Sequence, residues 1–341
     1  MNPAPVRLGV IGAGWFASRR HCPDIRKHPE AVLTALCRRD AAELHKMAAH
    51  FSVDHCFADY RELLHSGLVD GVVICSPHHL HYEHALAALE AGLHVLLEKP
   101  IAVRPEEGRR LAALAAEKER VLLVAQNPPY WSHCRYLKEQ FQEGIIGEVE
   151  SAHIHWVGSA LGVMGLEPLP ADLPGVVRPS LFRQDPAQNG GGYLIDGGSH
   201  LLCELLWCTG LRVTEISAQM DDPAWDRRAA LVARLNNNGL ATLSSIADSR
   251  IQAKRQHALY CGSAGTASVR GFPFELTLSS GKEVVRRREE ELPPSPAPVE
   301  NFIDCVLGRD QPALDNDLAV HIVEVIQAAY TSAQTGKAVR I

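Results

Sequence analysis

The chain has 341 residues, a formal charge of −6, 46% hydrophobic and 22% charged residues, and nine cysteines. That length suits two domains rather than one, and a mild negative charge with no lysine- or arginine-rich block excludes nucleic acid and acidic membrane surfaces as expected partners. No apolar run reaches the length of a signal-peptide core or a membrane span, and the odd, scattered cysteines without a CxxC pair predict a reducing, cytoplasmic home with no disulfide framework.

The first third alternates strand and helix signals. Strands are predicted at Arg7–Ile11, Val32–Cys37, Gly71–Cys75, His94–Leu97 and Val121–Ala125. Helices are predicted at Phe16–Lys27, Ala41–Phe51, His81–Ala91 and Pro105–Lys118. The strands are continuous apolar runs, the pattern of burial on both faces. Repeated βα units with short connections give an α/β chain whose residues 1–125 form a doubly wound Rossmann domain for a dinucleotide.

Beyond residue 126 the pattern changes. A helix at Ser132–Glu143 leads into a strand at Glu148–Val157 and then a glycine- and proline-rich loop, Gly158–Gly190, of a length that usually serves function. A helix follows at Ile195–Cys208, then strand-like segments from Arg212 to Arg288 with turn signals such as NNNG and SSGK. PPSPAP (Pro293–Pro298) is a stiff linker, and RRREEE (Arg286–Glu291) is a self-compensating surface segment. Helices at Pro298–Leu307 and Asp317–Gln334 close the chain. Residues 126–341 read as an α+β domain with a largely antiparallel, open sheet, for substrate binding, with room for a helix to pack back on the first domain.

The first strand ends in VIGAGWFA. Gly12, Gly14 and Ala17 fit G-x-G-x-x-[GA] between a strand and a helix: Gly12 for the tight turn, Gly14 for backbone approach to a pyrophosphate, Ala17 for close helix packing. Trp15 and Phe16 open that helix and join Gly12 and Gly14 as cofactor-binding candidates. At the end of the second strand, where NAD sites place an acid, the chain has Arg38 and Arg39, with Asp40 as the next helix's N-cap. Guanidinium forks match a 2′-phosphate. NADP(H) is therefore favoured, with NAD(H) as the alternative.

Two further stretches carry chemistry. HVLLEKPIAV places Glu98, Lys99 and Pro100 at the end of a buried strand, where a parallel sheet binds ligands. A cis Lys99–Pro100 bond is a feature to check there. NGGGYLIDGGSHLLCELLW places Asp196 and His200 four residues apart, on one face if helical, among glycines that let a backbone or ligand come close. HHLHYEH offers His78, His79, His81 and His84, yet no clustered carboxylate or thiolate completes a tetrahedron, so no metal is expected.

Together these stretches resemble the Gfo/Idh/MocA family, the oxidoreductases related to glucose–fructose oxidoreductase and inositol 2-dehydrogenase. The resemblance covers essentially the whole length, including GVIGAGWFA, CSPHHLHYEHALAALEAGLHVLLEKP, GIIGEV, GGGYLIDGGSHLL and AVHIVEVIQAAYTSAQTGKAVRI. It implies a hydride transfer between nicotinamide and a secondary alcohol or ketone of a sugar, cyclitol or related polyol. It maps the family's EKP lysine to Lys99 and its catalytic aspartate and histidine to Asp196 and His200. Pro77 and His81 fall on a P-x-x-x-H segment near the nicotinamide ribose, with Ser76, His78 and Glu98 as neighbouring cofactor contacts. The chain departs from the family pattern at His78 (usually asparagine), Arg38 (commonly aspartate) and Pro128–Pro129 (often arginines). The resemblance also implies a homodimer or homotetramer through the open sheet face.

In this reading His200 is the general acid/base. Lys99 stabilises charge on the reacting oxygen. Asp196 either orients His200 or binds a neighbouring substrate hydroxyl, and Glu98 either anchors the lysine or touches cofactor. Tyr130 and Arg183 join Lys99, Asp196 and His200 as substrate-binding candidates, and the loop after Val157, with Trp156, Arg178 and Phe182, shapes the substrate site. Arg183 meets substrate or cofactor phosphate, or else pairs with Asp185. Two rival readings are an NAD-dependent glycosidase working through transient oxidation and a non-catalytic NADP-binding sensor. The second would need neither Lys99 nor the Asp196/His200 pair.

Overall fold

The computed structural model describes residues 4–168, 175–250 and 255–341, so residues 169–174 of the predicted long loop lie outside the described residues. The chain divides into two compact units. The first holds residues 1–125, 162–189 and 296–320; the second holds 126–161, 190–295 and 321–341.

The first unit is built on a six-stranded parallel sheet: β1 (Val6–Ile11), β2 (Ala31–Cys37), β3 (His55–Phe57), β4 (Gly71–Ile74), β5 (His94–Glu98) and β6 (Leu122–Ala125), in the order β3-β2-β1-β4-β5-β6. Reversal of strand order at β1/β4 is the switch point of a doubly wound fold. Leu8, Val10, Val72, Val73, Ile74 and Val95–Leu97 are shut off from solvent, which is why these strands show as unbroken apolar runs. β3 and the five-residue helix Tyr60–Leu64 were not predicted. The predicted helix Phe16–Lys27 is there with a π-helical turn over Ala17–His21 before regular α-helix at Cys22–Lys27.

The second unit carries a nine-stranded sheet: β7 (Val149–Val157), β8 (Val213–Met220), β9 (Arg228–Leu235), β10 (Leu240–Ile246), β11 (Arg255–Gly262), β12 (Gly265–Gly271), β13 (Glu275–Ser280), β14 (Glu283–Arg288) and β15 (Val339–Arg340). The order is β14-β13-β12-β11-β7-β10-β9-β8-β15. All pairings are antiparallel except β7 with β10. Strict alternation marks a sheet with one packed face: in β9, Ala229, Leu231, Ala233 and Leu235 are buried while Val232 between them is 52% exposed. The packed face meets the helix Ser199–Thr209, which is buried almost all round. The expected α/β chain with a second, largely antiparallel α+β domain is what the molecule contains.

That helix itself carries a buried acid that no motif in the sequence marks. Glu204 is fully buried; its carboxyl accepts from the Gln256 amide and from the Tyr260 hydroxyl at 3.3 Å, with no cation paired to it among the described residues. Burial lifts its pKa to about 7. A group raised in the folded state stabilises fully below its unfolded pKa, near 4.5, and loses that contribution as pH rises through about 7. At one pKa unit per ~1.4 kcal/mol, the loss amounts to about 3 kcal/mol. Thermal melting should therefore fall between about pH 5 and pH 8, and Glu204→Gln should flatten that dependence and melt several degrees higher than wild type at the alkaline end. Parallel melting curves for the two proteins would disprove the assignment.

Candidate active site

In the first unit the end of β1 forms the predicted turn. The amides of Gly12 and Ala13 both donate to Cys37 O at 3.1 Å, tying the turn to β2, and Ser18 N donates to Gly14 O at 2.9 Å as the helix begins. Gly12 has φ +75°, and a Cβ there would lie 2.6 Å from Ser76 N and 2.8 Å from the Cys75 carbonyl carbon. The turn is thus closed on backbone that no side chain can share. Arg38 crosses this turn. Its Nη1 donates to Ala13 O at 3.0 Å and lies 3.3 Å from where a Gly14 Cβ would stand. Its Nε is buried without a hydrogen-bond partner among the described residues. Arg39 is exposed. A backbone cradle with a positively charged fork beside it fits the phosphates of a dinucleotide. Trp15 and Phe16 sit at the helix start with ring centroids 6.4 Å apart, and Arg19 stacks over Trp15.

At the end of β5, Glu98 Oε1 meets His21 Nε2 at 2.7 Å. The π-helical turn Ala17–His21 delivers that histidine, and π-turns often mark functional sites. The carboxylate thus takes a partner the sequence analysis did not name. The Lys99–Pro100 bond is cis.

His81 is fully buried, with Nδ1 2.7 Å from Pro100 O and Nε2 2.9 Å from Ser76 O, and burial lowers its pKa. Both ring nitrogens face backbone carbonyls, so His81 braces the segments that carry Ser76 and Pro100. His84 Nδ1 takes Ser76 Oγ at 3.0 Å, its pKa pushed down to about 4 by burial, and His78 Nδ1 takes Asn189 O at 2.9 Å. His79 Nδ1 lies near Gln188 O at 3.2 Å, so the four histidines of HHLHYEH are spread over separate partner atoms, with His81 and His84 sharing Ser76 through its carbonyl and its hydroxyl. The stretch before Asn189 also returns to this unit: Phe182 packs edge-on against His78, Arg183 stacks over Phe182, and Val177 N donates to Ser18 Oγ. Asp185 caps the next turn through Ala187 N and Gln188 Nε2.

In the second unit the predicted helix Ile195–Cys208 begins with a π-helical turn, Leu194–Gly198, and continues as α-helix over Ser199–Thr209. Asp196 and His200 are both buried, at 7% and 8% exposure. His200 Nδ1 lies 3.2 Å from Gln126 Nε2, and its Nε2 3.3 Å from Asn127 Nδ2. Trp131 and Trp156, stacked on each other at 6.1 Å, both lie tilted beside its ring, at 5.8 and 6.4 Å between centroids. Amides at both nitrogens and two tilted indoles beside the ring make a buried, oriented imidazole. Tyr130 belongs to the short turn Pro128–Tyr130 that carries Trp131 to this ring.

Of the two expected causes for the glycines before Asp196, a close backbone or a ligand, the structure shows the first. A Cβ at Gly192 would lie 2.1 Å from Asp226 N, and one at Gly191 2.5 Å from Tyr330 Oη. The chain comes close to its own backbone here. Asp226, fully buried, accepts from Leu194 N and Tyr330 Oη at 2.8 Å each, and its carbonyl accepts from Tyr193 N. Burial lifts its pKa to about 6. Asp226 and Tyr330 anchor the turn that presents Asp196, and nothing local in DDPAWDRR signals it.

Among the described residues no helix is long and apolar enough to cross a membrane. All nine cysteines are free.

Comparison with known proteins matches residues 6–126 to the oxidoreductase family with an NAD-binding Rossmann fold, Gfo/Idh/MocA, and residues 134–268 to the C-terminal domain of that same family. D-glucoside 3-dehydrogenase of Escherichia coli is 26% identical over 100% of this chain and 99% of that protein. The NADP(+)-dependent scyllo-inositol 2-dehydrogenase IolU of Bacillus subtilis is 31% identical over 40% of this chain and 42% of its own. Levoglucosan dehydrogenase, solved with NADH and L-sorbose, superposes with a TM-score of 0.84 at 18% identity over 99% of both chains. With both halves matched in order by one family's models, the chain belongs to the Gfo/Idh/MocA family of oxidoreductases.

Proposed function

We propose that this oxidoreductase transfers a hydride between NADP(H) and a secondary alcohol or ketone of a sugar, cyclitol or related polyol, with Lys99, Asp196 and His200 as its catalytic residues. The observation that carries the proposal is His200: a buried imidazole whose two nitrogens are each met by a carboxamide and whose ring is tilted against two neighbouring indoles. Such a ring can hold or release a proton at Nε2 without competition from bulk water. The nicotinamide, when bound, supplies the hydride acceptor or donor. In the oxidation direction His200 takes the hydroxyl proton; Lys99 hydrogen-bonds the reacting oxygen and offsets its developing charge. Asp196 orients His200 or binds the adjoining hydroxyl.

The phosphate preference rests on Arg38, whose Nε is buried without a partner above the glycine turn. IolU is named for NADP(+) and levoglucosan dehydrogenase was solved with NADH, so both cofactors occur among the relatives. Arg38→Asp should reverse the preference, weakening NADPH at least about tenfold relative to NADH. Equal discrimination by wild type and variant would rule out the arginine as the selector.

The substrate class is tested by assaying D-glucosides, inositols and keto-sugars with each cofactor, following nicotinamide absorbance. Turnover confined to one polyol class supports the proposal; none with any polyol and either cofactor rejects it. The free cysteines support a reducing, cytoplasmic setting. The outward sheet face, with Val232 and Leu240 exposed, supports a homodimer or homotetramer, which light scattering would reveal.

A further inference from the structure

The polar groups around His200 cannot all act as they stand. Gln126 Nε2 faces Nδ1 and Asn127 Nδ2 faces Nε2. Both amide nitrogens are donors, whereas a neutral imidazole accepts at one nitrogen and an imidazolium at neither. One of the two carboxamides must therefore present its oxygen, and the network decides which.

Ser199 links the choice to the backbone. Its Oγ donates to Asp196 O at 2.9 Å and lies 3.2 Å from Gln126 Nε2. With Gln126 left in place, its amide donates to Ser199 Oγ and to Nδ1; the ring proton then sits on Nε2, and Asn127 must turn. With Gln126 turned, its Oε1 accepts from Nδ1–H, and from Ser199 Oγ–H once that single hydroxyl proton rotates away from Asp196 O, while Nε2 keeps a lone pair that accepts from Asn127 Nδ2 as placed. Only this second arrangement leaves a basic Nε2. Only it keeps an acceptor at Nδ1–H after Nε2 has taken a proton.

We propose that Gln126 is a positioning residue that, with Ser199, holds His200 in the Nδ1–H tautomer by presenting Oε1 to it. The inference rests on the acid/base role assigned to His200 above. Gln126 fills, without adding charge, the place a carboxylate takes in a histidine–carboxylate pair. The pair is buried, Gln126 at 2% and Ser199 at 1% exposure, so water does not compete for Nδ1.

The test reads the tautomer directly. Protein labelled with 15N-histidine and saturated with NADP+ is examined by long-range proton–nitrogen correlation at about pH 8, where an ordinary imidazole is neutral. The His200 signals are identified by their loss in His200→Gln. The expected spectrum has the proton on Nδ1 in wild type and in Gln126→Glu, and on Nε2 or exchanging between both nitrogens in Gln126→Leu. A wild-type ring protonated at Nε2 overturns the proposal, as does a Gln126→Leu spectrum identical to wild type. An Nδ1–H wild-type ring combined with undiminished turnover in His200→Gln upholds the tautomer assignment and removes the acid/base reading instead.

Discussion

His200→Gln should lower turnover by about 10²–10⁴-fold while leaving NADPH affinity within about twofold of wild type. Glutamine keeps the size and hydrogen-bonding character of the side chain but cannot accept and return a proton near neutral pH. The imidazole it replaces is buried and oriented by Gln126 and Asn127, whereas the dinucleotide turn belongs to the other compact unit. Binding and chemistry should therefore separate cleanly. Lys99→Met, which removes charge and donors but keeps length, should cost about 10²–10³-fold, the range of a lost oxyanion donor. Stopped-flow absorbance gives the rates and quenching of nicotinamide fluorescence the affinities. Near-wild-type turnover in both variants would end the catalytic assignment; loss of NADPH binding in His200→Gln would move the residue from chemistry to cofactor retention.

Gly12→Ala should reduce NADPH affinity by at least about 100-fold and destabilise the protein by about 3 kcal/mol. Two costs combine. The position has φ +75°, where an L side chain is strained. The added methyl would also stand 2.6 Å from Ser76 N and 2.8 Å from both the Cys75 carbonyl carbon and Ser76 Cα. These are backbone atoms at the end of β4, continuous with a strand buried on both faces, so relief requires moving the sheet edge itself. Gly14→Ala is the informative contrast. Its methyl would come closest to Arg38 Nη1, at 3.3 Å, the end of a long side chain that can give way, with Gly12 O at an ordinary contact distance of 3.6 Å. The fold should tolerate that change while cofactor binding weakens. Melting temperatures and NADPH titrations of the two variants check this; a Gly12→Ala protein that binds as wild type does would show that the turn is not the cradle.

Most of the first unit was legible because strands buried on both faces leave long apolar runs, and because the glycine spacing at residues 12–17 has few other uses. Its short pieces were not. β3, with three residues, and the helix Tyr60–Leu64, with five, are too brief for a period to emerge. The π-helical turns at Ala17–His21 and Leu194–Gly198 also escaped notice, since a shift in hydrogen-bond register leaves no mark on composition. The candidate site was readable as motifs and unreadable as a network. Asp196 and His200 stood out by spacing, but their neighbourhood depends on Gln126, Asn127, Asp226 and Tyr330, each brought in from far along the chain. The glycines at 191 and 192 read as space for a backbone or a ligand, and they make room for Asp226 and Tyr330.

The division of the chain between its two units bears on how the protein is made. Residues 162–189 and 296–320 belong with residues 1–125. Arg309 forks onto Glu30 at 2.6 Å through both terminal nitrogens, and the helix Pro298–Val306 packs near β5. A ribosome that has released residue 125 has therefore delivered every strand of the parallel sheet but not its full covering. The nascent sheet must wait through most of the second unit's synthesis, with apolar surface unprotected, until the segment ending at residue 320 emerges. Chaperone engagement should be concentrated in that interval, and expression of residues 1–125 alone should give an aggregating fragment that a separately supplied 296–320 peptide makes more soluble.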